Sequence, residues 1–262
     1  MRVTFLGTGT SVGVPAIGCR CPVCSSRDPL DRRLRTSALV AAGGRNILID
    51  ASIDLRQQML REGVDRLDAV LLTHGHADHV FGLDDLRMFN YRQQQPIPIH
   101  GSPATLADLR RTFWYVFQEP PDASSRPQLD LIPVEGPFDC AGVSVESFRV
   151  LHGSMPILGY RVGGFGYITD GSSLPEETIA ALRGLDLLVI NALRRKPHPT
   201  HFTLDEALRA IERIRPRRAL LTHISHDFGH AELAGELPPG VEPAYDGLRV
   251  DLEMPPDPGA AP

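Results

Sequence analysis

The chain has 262 residues, 42% of them hydrophobic and 23% charged, a composition of soluble globular domains that excludes disordered and fibrous classes. Its formal charge of −5 and isoelectric point of about 6.0 exclude a broad basic footprint, so nucleic acid is not an expected partner. The opening Met1-Arg2-Val3-Thr4-Phe5-Leu6-Gly7 lacks the apolar stretch of a signal peptide, and no run reaches the ~18 apolar residues of a membrane helix. A cytoplasmic protein without a membrane partner is expected. Its four cysteines are then reduced thiols rather than a disulfide framework.

In chain order, Val3–Leu6, Ser37–Ala41, Asn46–Ile49, Ala69–Leu72 and Pro98–His100 read as strands. Val143–Phe148, Gly166–Thr169, Leu187–Ile190, Ala219–Leu221 and Leu248–Leu252 follow in the second half. Helices are predicted at Ile53–Arg61, Pro103–Arg111, Pro175–Leu182 and Leu204–Ile214. The last opens on a capping box, Thr203 with Glu206, and stops before Pro216. Ser173, ahead of Pro175, Glu176 and Glu177, reads as a similar start signal.

The glycine-rich Gly7–Gly13 stretch has neither the lysine of a P-loop nor dinucleotide spacing, and reads as a tight turn near the site. Arg32, Arg33 and Arg35 read as a solvated basic stretch, and Asp84 and Asp85 as the solvated face of a helix starting near Leu83. Glu119–Pro127 reads as a loose connection and Pro255–Pro262 as a disordered tail. No linker divides the remainder, so residues 1–254 are expected to form one domain. One internal echo is visible: Leu72-Thr73-His74 recurs as Leu221-Thr222-His223, each an apolar strand ending in a histidine.

The sharpest chemical signal is Thr73-His74-Gly75-His76-Ala77-Asp78-His79. Packing has no use for three imidazoles and a carboxylate directly after an apolar strand. In an extended chain His74 and His76 point the same way and can share a metal, while Asp78 and His79, in the turn beyond, reach a second. Nitrogen and oxygen donors of this kind suit zinc, with manganese or iron as alternatives. Further candidates are His152, Asp170 and His223, each at the C-terminal end of a predicted strand.

A second cluster lies in Cys19-Arg20-Cys21-Pro22-Val23-Cys24, whose C-x-C-x2-C spacing suits one structural zinc. Three thiolates leave one position, and His226, three residues after His223, could turn toward this loop to fill it. Cys140 is remote in sequence and reads as a small core residue.

The H-x-H-x-D-H pattern of His74, His76, Asp78 and His79 resembles the metallo-β-lactamase superfamily. That resemblance implies an α/β fold, an αββα sandwich of two mixed sheets flanked by helices. It implies that His74, His76 and His152 hold one divalent metal, zinc or manganese. Asp78, His79 and His223 would hold the other, and Asp170 would bridge the two. Such a pair of ions lowers the pKa of a shared water and supplies a hydroxide nucleophile.

The Cys19–Cys24 loop, Leu221–His226 and Asp170-Gly171-Ser172-Ser173-Leu174-Pro175-Glu176 narrow the likeness further. They resemble the cyclic-phosphate phosphodiesterases of the carbon–phosphorus lyase (phosphonate breakdown) pathway. This likeness implies that His201 helps bind substrate and protonates the leaving oxygen, so that His201, Asp78 and Asp170 form the catalytic set. The expected substrate is a small phosphoester of the ribosyl 1,2-cyclic phosphate type, with a homodimer permitted. The alternatives are an RNase Z-like tRNA 3′ endonuclease and a lactone or thioester hydrolase on the same metals. His198 and His230 receive no role.

Overall fold

The computed structural model describes residues 1–118 and 125–253. The predicted tail at Pro255–Pro262 and most of the predicted loose segment at Glu119–Pro127 lie outside the described residues.

The first half of the chain runs β1 (Arg2–Gly7), β2 (Ser37–Ala42), β3 (Arg45–Ile49), α1 (Leu55–Glu62), β4 (Ala69–Leu71) and α2 (Ala77–Val80). A 3-10 turn at Phe81–Leu86 then leads to α3 (Arg87–Gln93), β5 (Ile97–Gly101), α4 (Pro103–Thr112), α5 (Trp114–Phe117) and β6 (Leu129–Pro133). The second half runs β7 (Pro137–Cys140), β8 (Val143–His152), β9 (Met155–Val162), β10 (Phe165–Tyr167), α6 (Glu176–Ala181) and β11 (Leu187–Asn191). It closes with α7 (Leu204–Ile214), β12 (Arg218–Thr222), α8 (His230–Glu236), β13 (Val241–Pro243) and β14 (Arg249–Asp251).

These strands build two seven-stranded sheets, ordered β14-β1-β2-β3-β4-β5-β6 and β13-β12-β11-β10-β9-β8-β7. In the first sheet β14, β1, β2 and β3 pair antiparallel and β3 to β6 run parallel. The second repeats the plan, antiparallel from β7 to β10 and parallel from β10 to β13. The architecture is therefore the αββα sandwich, and the Thr-His echo marks one strand end in each sheet.

Alternation along each strand decides which side chains meet. On β2 and β3, Ala38, Val40, Ile47 and Ile49 face Val145, Tyr160, Val162, Tyr167 and Val189 of the other sheet. Leu39 and Leu48 point the opposite way, onto Leu55 and Met59 of α1, Phe89 of α3 and Leu106 of α4. On β11, Leu188 and Ile190 face outward to Ile179 of α6 and to Ala207, Ile211 and Ile214 of α7. Strands buried on both faces read as near-continuous apolar runs, which is why β3, β4 and β11 were legible. Among the described residues no helix is long and apolar enough to cross a membrane.

Four strands escaped the sequence pattern. β6, β7 and β13 are short, and each carries a proline. β9 contains Pro156 and Gly159, two strand-weakening residues, yet it pairs with β8 from Met155 to Arg161. Gly159 is required there, because a Cβ at that position would come within 2.2 Å of the Phe148 ring.

The capping box at Thr203 is present, with both side-chain bonds made. The Ser173 signal is not used: α6 begins after Pro175 with no side-chain cap, and Ser173 instead bridges to Leu151. Cys140 is fully buried, as expected of a core residue.

The Gly159–Phe148 contact yields a prediction. Gly159→Val will destabilise the protein by about 1–3 kcal/mol through overpacking, read as a lower midpoint in urea unfolding. Adding Phe148→Leu in the same chain will recover part of that loss, because the two positions share one volume. Strict additivity would contradict the contact.

Candidate metal centre and active site

β4 ends at Leu71, so His74 and His76 do not occupy a strand as expected. They sit in the loop beyond it, and His76 is the N-cap of α2. Their rings meet edge to face with centroids 4.5 Å apart. Asp78 and His79 lie within α2 rather than in a turn, both buried, and one helical turn brings them beside the loop. His152 ends β8, and its ring stands 5.4 Å from His74 and 5.2 Å from His76.

Asp170, 2% exposed, stands at the centre. Its carboxylate oxygens lie 3.2 Å from His223 Nδ1, 3.4 Å from His79 Nε2 and 4.0 Å from His74 Nε2. His201 Nε2 lies 3.1 Å from Oδ2. Backbone pairing sets that last contact: the Phe202 N–H donates to the Gly171 carbonyl at 2.6 Å, which puts residue 201 alongside residue 170. The Asn191 side chain accepts from the Gly171 N–H and donates to the Gly171 carbonyl, clamping that residue at 2.7 and 3.0 Å.

The donor atoms of His74, His76 and His152 lie within 4.8 Å of one another, as do those of Asp78, His79, Asp170 and His223. The expected residues thus converge, with Asp170 between the two groups. The arrangement fits metal ions on a second ground as well. His74 Nε2 and His79 Nε2 are buried without any hydrogen-bond partner, a costly state for an imidazole nitrogen unless it serves as a ligand.

Three of the imidazoles are held by a neighbouring oxygen at Nδ1. His152 Nδ1 donates to the Thr200 carbonyl at 2.7 Å, His223 Nδ1 lies 3.1 Å from the Thr36 hydroxyl, and His74 Nδ1 lies 3.0 Å from the Thr73 hydroxyl. Burial pushes His74 well below the ordinary imidazole range and His223 down to about 4. Burial disfavours the charged Asp170, but the imidazoles of His223 and His79 outweigh it and hold the carboxyl well below its usual range. His79 is the exception among the rings: burial opposes its charge, yet Asp170 and Asp50 raise it well above the ordinary value.

Asp50 was missed in the sequence. It is fully buried, accepts the Thr73 N–H and hydroxyl at 2.8 Å each, and faces His79 Nδ1 at 2.7 Å. A signal was available, because Ile47-Leu48-Ile49-Asp50 matches Tyr167-Ile168-Thr169-Asp170: each is a largely apolar run ending in aspartate. Both aspartates, and His223, adopt positive φ, at 60°, 56° and 53°. Such non-glycine left-handed residues are uncommon and cluster at functional sites.

The cysteine loop also assembles. Donor atoms of Cys19, Cys21, Cys24 and His226 lie within 4.8 Å of one another, with His226 Nδ1 3.3 Å from Cys19 Sγ and 3.4 Å from Cys21 Sγ. The Cys24 backbone N–H and His226 pull the Cys21 thiol down to about 6, toward the thiolate a metal needs, while burial pushes Cys24 up to about 11.

Arg33, expected in solvent, is 1% exposed. Its guanidinium donates to the carbonyls of Ser225 and Phe228 at 3.3 and 3.0 Å, with Asp31 3.6 Å away. Those inward-facing carbonyls need donors, and Arg33 supplies them, fixing the segment that carries both His223 and His226. Asp84, on a partly exposed face, accepts the Tyr115 hydroxyl at 2.6 Å. Arg35 pairs with Asp54 at 3.0 Å and donates to the Ser11 carbonyl.

Residues 45–224 match the beta-lactamase superfamily domain. The chain belongs to this superfamily. Its fold and ligand clusters make it a metal-dependent hydrolase. It is 43% identical over 261 residues to a protein of Porphyromonas gingivalis named octanoyltransferase, covering 97% of this chain and 52% of that one. The chain thus spans about half the length of that relative. It is 30% identical over 254 residues to a ribonuclease Z of a Mycobacterium species (strain KMS), covering 85% of this hydrolase and 84% of the nuclease. Among solved structures, a diphosphatase from the PhnP family superposes with a TM-score of 0.91 at 42% identity, covering 97% of this chain and 98% of that one.

The Asp50–His79 contact predicts that Asp50→Asn will weaken metal binding by about 10–100-fold, as loss of a histidine's carboxylate partner does elsewhere. Equilibrium dialysis with zinc measures it, and unchanged affinity would remove Asp50 from the site.

Proposed function

We propose that this hydrolase opens a small phosphoester, a five-membered cyclic phosphate of the ribosyl 1,2-cyclic phosphate type, with His201 as proton donor to the leaving oxygen. The observation that carries this reading is His201 Nε2, 3.1 Å from the Asp170 carboxylate that joins both ligand groups. A sugar alkoxide is a poor leaving group and needs a proton, and an imidazole is suited to deliver one near neutral pH.

His74, His76 and His152 would hold one divalent ion, zinc or manganese, and Asp78, His79 and His223 the other, with Asp170 between them. When bound, such ions supply Lewis acidity and lower the pKa of water from 15.7 toward about 7. Cys19, Cys21, Cys24 and His226 would hold a structural zinc, because three thiolates and one imidazole form a closed tetrahedral set. The protein's own residues then do the following. Asp50, Thr36 and the Thr200 carbonyl keep the ligand imidazoles facing inward. His201 stands half-buried at the edge of the cluster, where its Nε2 can meet the substrate's leaving oxygen. In the reaction the oxygen of water becomes bonded to phosphorus and the bond from phosphorus to the leaving oxygen breaks. His201 gives that oxygen its proton and regains one from the attacking water.

A second reading, cleavage of a diphosphate, is favoured by the 42% identity to a diphosphatase. A phosphate leaving group departs without protonation, so that reading has less use for His201. Trimming of tRNA 3′ ends, suggested by the ribonuclease Z likeness, runs against the net charge of −5.

The test is a substrate panel of ribosyl 1,2-cyclic phosphate, a 2′,3′-cyclic nucleotide, a nucleoside diphosphate, tRNA, a lactone and a thioester. Cyclic-phosphate turnover is expected to dominate. His201→Ala is expected to retain its metals and lose about 10²–10⁴ in kcat on that substrate. Turnover of the diphosphate, lactone or thioester alone, or full activity of His201→Ala, would overturn the assignment.

A further inference from the structure

The loop Arg194-Arg195-Lys196-Pro197-His198-Pro199-Thr200-His201 carries a second imidazole that the proposed chemistry does not use. His198 Nδ1 lies 3.1 Å from His201 Nδ1, and the rings stand edge to face with centroids 4.8 Å apart. Thr200 lies against both. Its hydroxyl is 2.9 Å from His201 Nδ1 and 3.2 Å from His198 Nδ1, and its N–H donates to His198 Nδ1 at 3.3 Å. Its carbonyl accepts from His152.

The geometry points to His198 as the positioning residue for His201. A free imidazole can turn about its Cβ–Cγ bond and exchange the two edges of its ring. Here the Nδ1 edge of His201 is engaged by His198 and by the Thr200 hydroxyl, which leaves Nε2 facing Asp170. The Asp170 oxygen can only accept, so Nε2 faces it as a donor. His198 Nδ1, which accepts the Thr200 N–H, lies against the opposite edge of the ring, and His198 therefore fixes the direction in which His201 presents Nε2.

The sequence equips His198 for this. Pro199 restricts the backbone of the residue before it, and Pro197 locks its own φ. Arg194 braces the turn by donating to the carbonyls of Lys196 and Pro197 at 3.1 and 2.8 Å. His198 is half-buried on a surface loop, so its removal leaves both sheets and their cores untouched.

This inference rests on the reading of His201 as proton donor, and two readouts keep their failures apart. The first is leaving-group dependence, comparing the cyclic phosphate, which releases an alkoxide, with bis(p-nitrophenyl) phosphate, whose p-nitrophenolate leaves unaided. His198→Ala is expected to lose about 10–100-fold in kcat on the cyclic phosphate and to stay within about twofold on the aryl diester. His198→Asn, whose amide occupies the place of Nδ1, recovers most of the loss. The double variant with His201→Ala is no slower than His201→Ala alone, because both changes act through one proton.

The second readout needs no turnover. In a long-range proton–nitrogen correlation spectrum of the imidazoles, His198→Ala shifts the Nδ1 resonance of His201, and His198→Asn restores part of the shift. An unchanged spectrum, equal losses on both substrates, or no loss on either would overturn the role of His198. If His201→Ala itself ignores the leaving group while the spectrum responds, the proton-donor reading fails although the contact between the rings stands.

Discussion

One buried carboxylate organises this molecule. Asp170 stands where the parallel halves of two sheets present their C-terminal ends, and imidazoles from α2, from the end of β12 and from the loop before α7 converge on its two oxygens. An ionised carboxylate removed from water is a severe cost unless charge and hydrogen bonds surround it. Here the surroundings come from three separate segments of chain, which can meet only when both sheets are in register. The site and the fold thus stabilise or fail together.

The strain in the backbone follows from the same demand. Asp50 and His223 directly follow their strands and Asp170 lies three residues beyond β10, and all three adopt positive φ. The two-layer core tolerates this because Ile47, Ile49, Tyr167, Val189 and Leu220 immediately behind are fully buried and leave the strand ends no freedom to relax. The second cluster is tied in by a short segment. His223 and His226 are three residues apart and point to different groups, while Arg33 pins the carbonyls of Ser225 and Phe228 beside them. A change in the cysteine loop therefore reaches the active-site rim through covalent chain and one buried guanidinium.

Much of this was legible from residue order. The apolar runs of β2, β3, β4, β11 and β12 are buried on both faces, so they stand out as unbroken blocks. The residues that converge on the two ligand clusters announce themselves because packing has no use for them at strand ends. What stayed hidden was relational. Asp50 received no role in the sequence, because its partner His79 lies across from it only in the folded chain. Arg33 looked solvated because its partners, the carbonyls of Ser225 and Phe228, lie almost two hundred residues away and have no side-chain signature. His198 was silent for the same reason: its meaning lies in the edge it shows to His201. β9 was masked by Pro156 and Gly159, and that glycine reflects the space taken by Phe148.

The most direct test of this account is metal stoichiometry of the purified protein, by elemental analysis, for the wild type and for Asp170→Ala. The account predicts about three metal ions per chain in the wild type, two at the histidine–aspartate clusters and one at the cysteine loop. In Asp170→Ala the rim ions are lost and the zinc held by Cys19, Cys21, Cys24 and His226 remains. Full metal content in that variant, or a wild-type protein that binds no ion at the rim, would contradict the claim that Asp170 joins two metal sites.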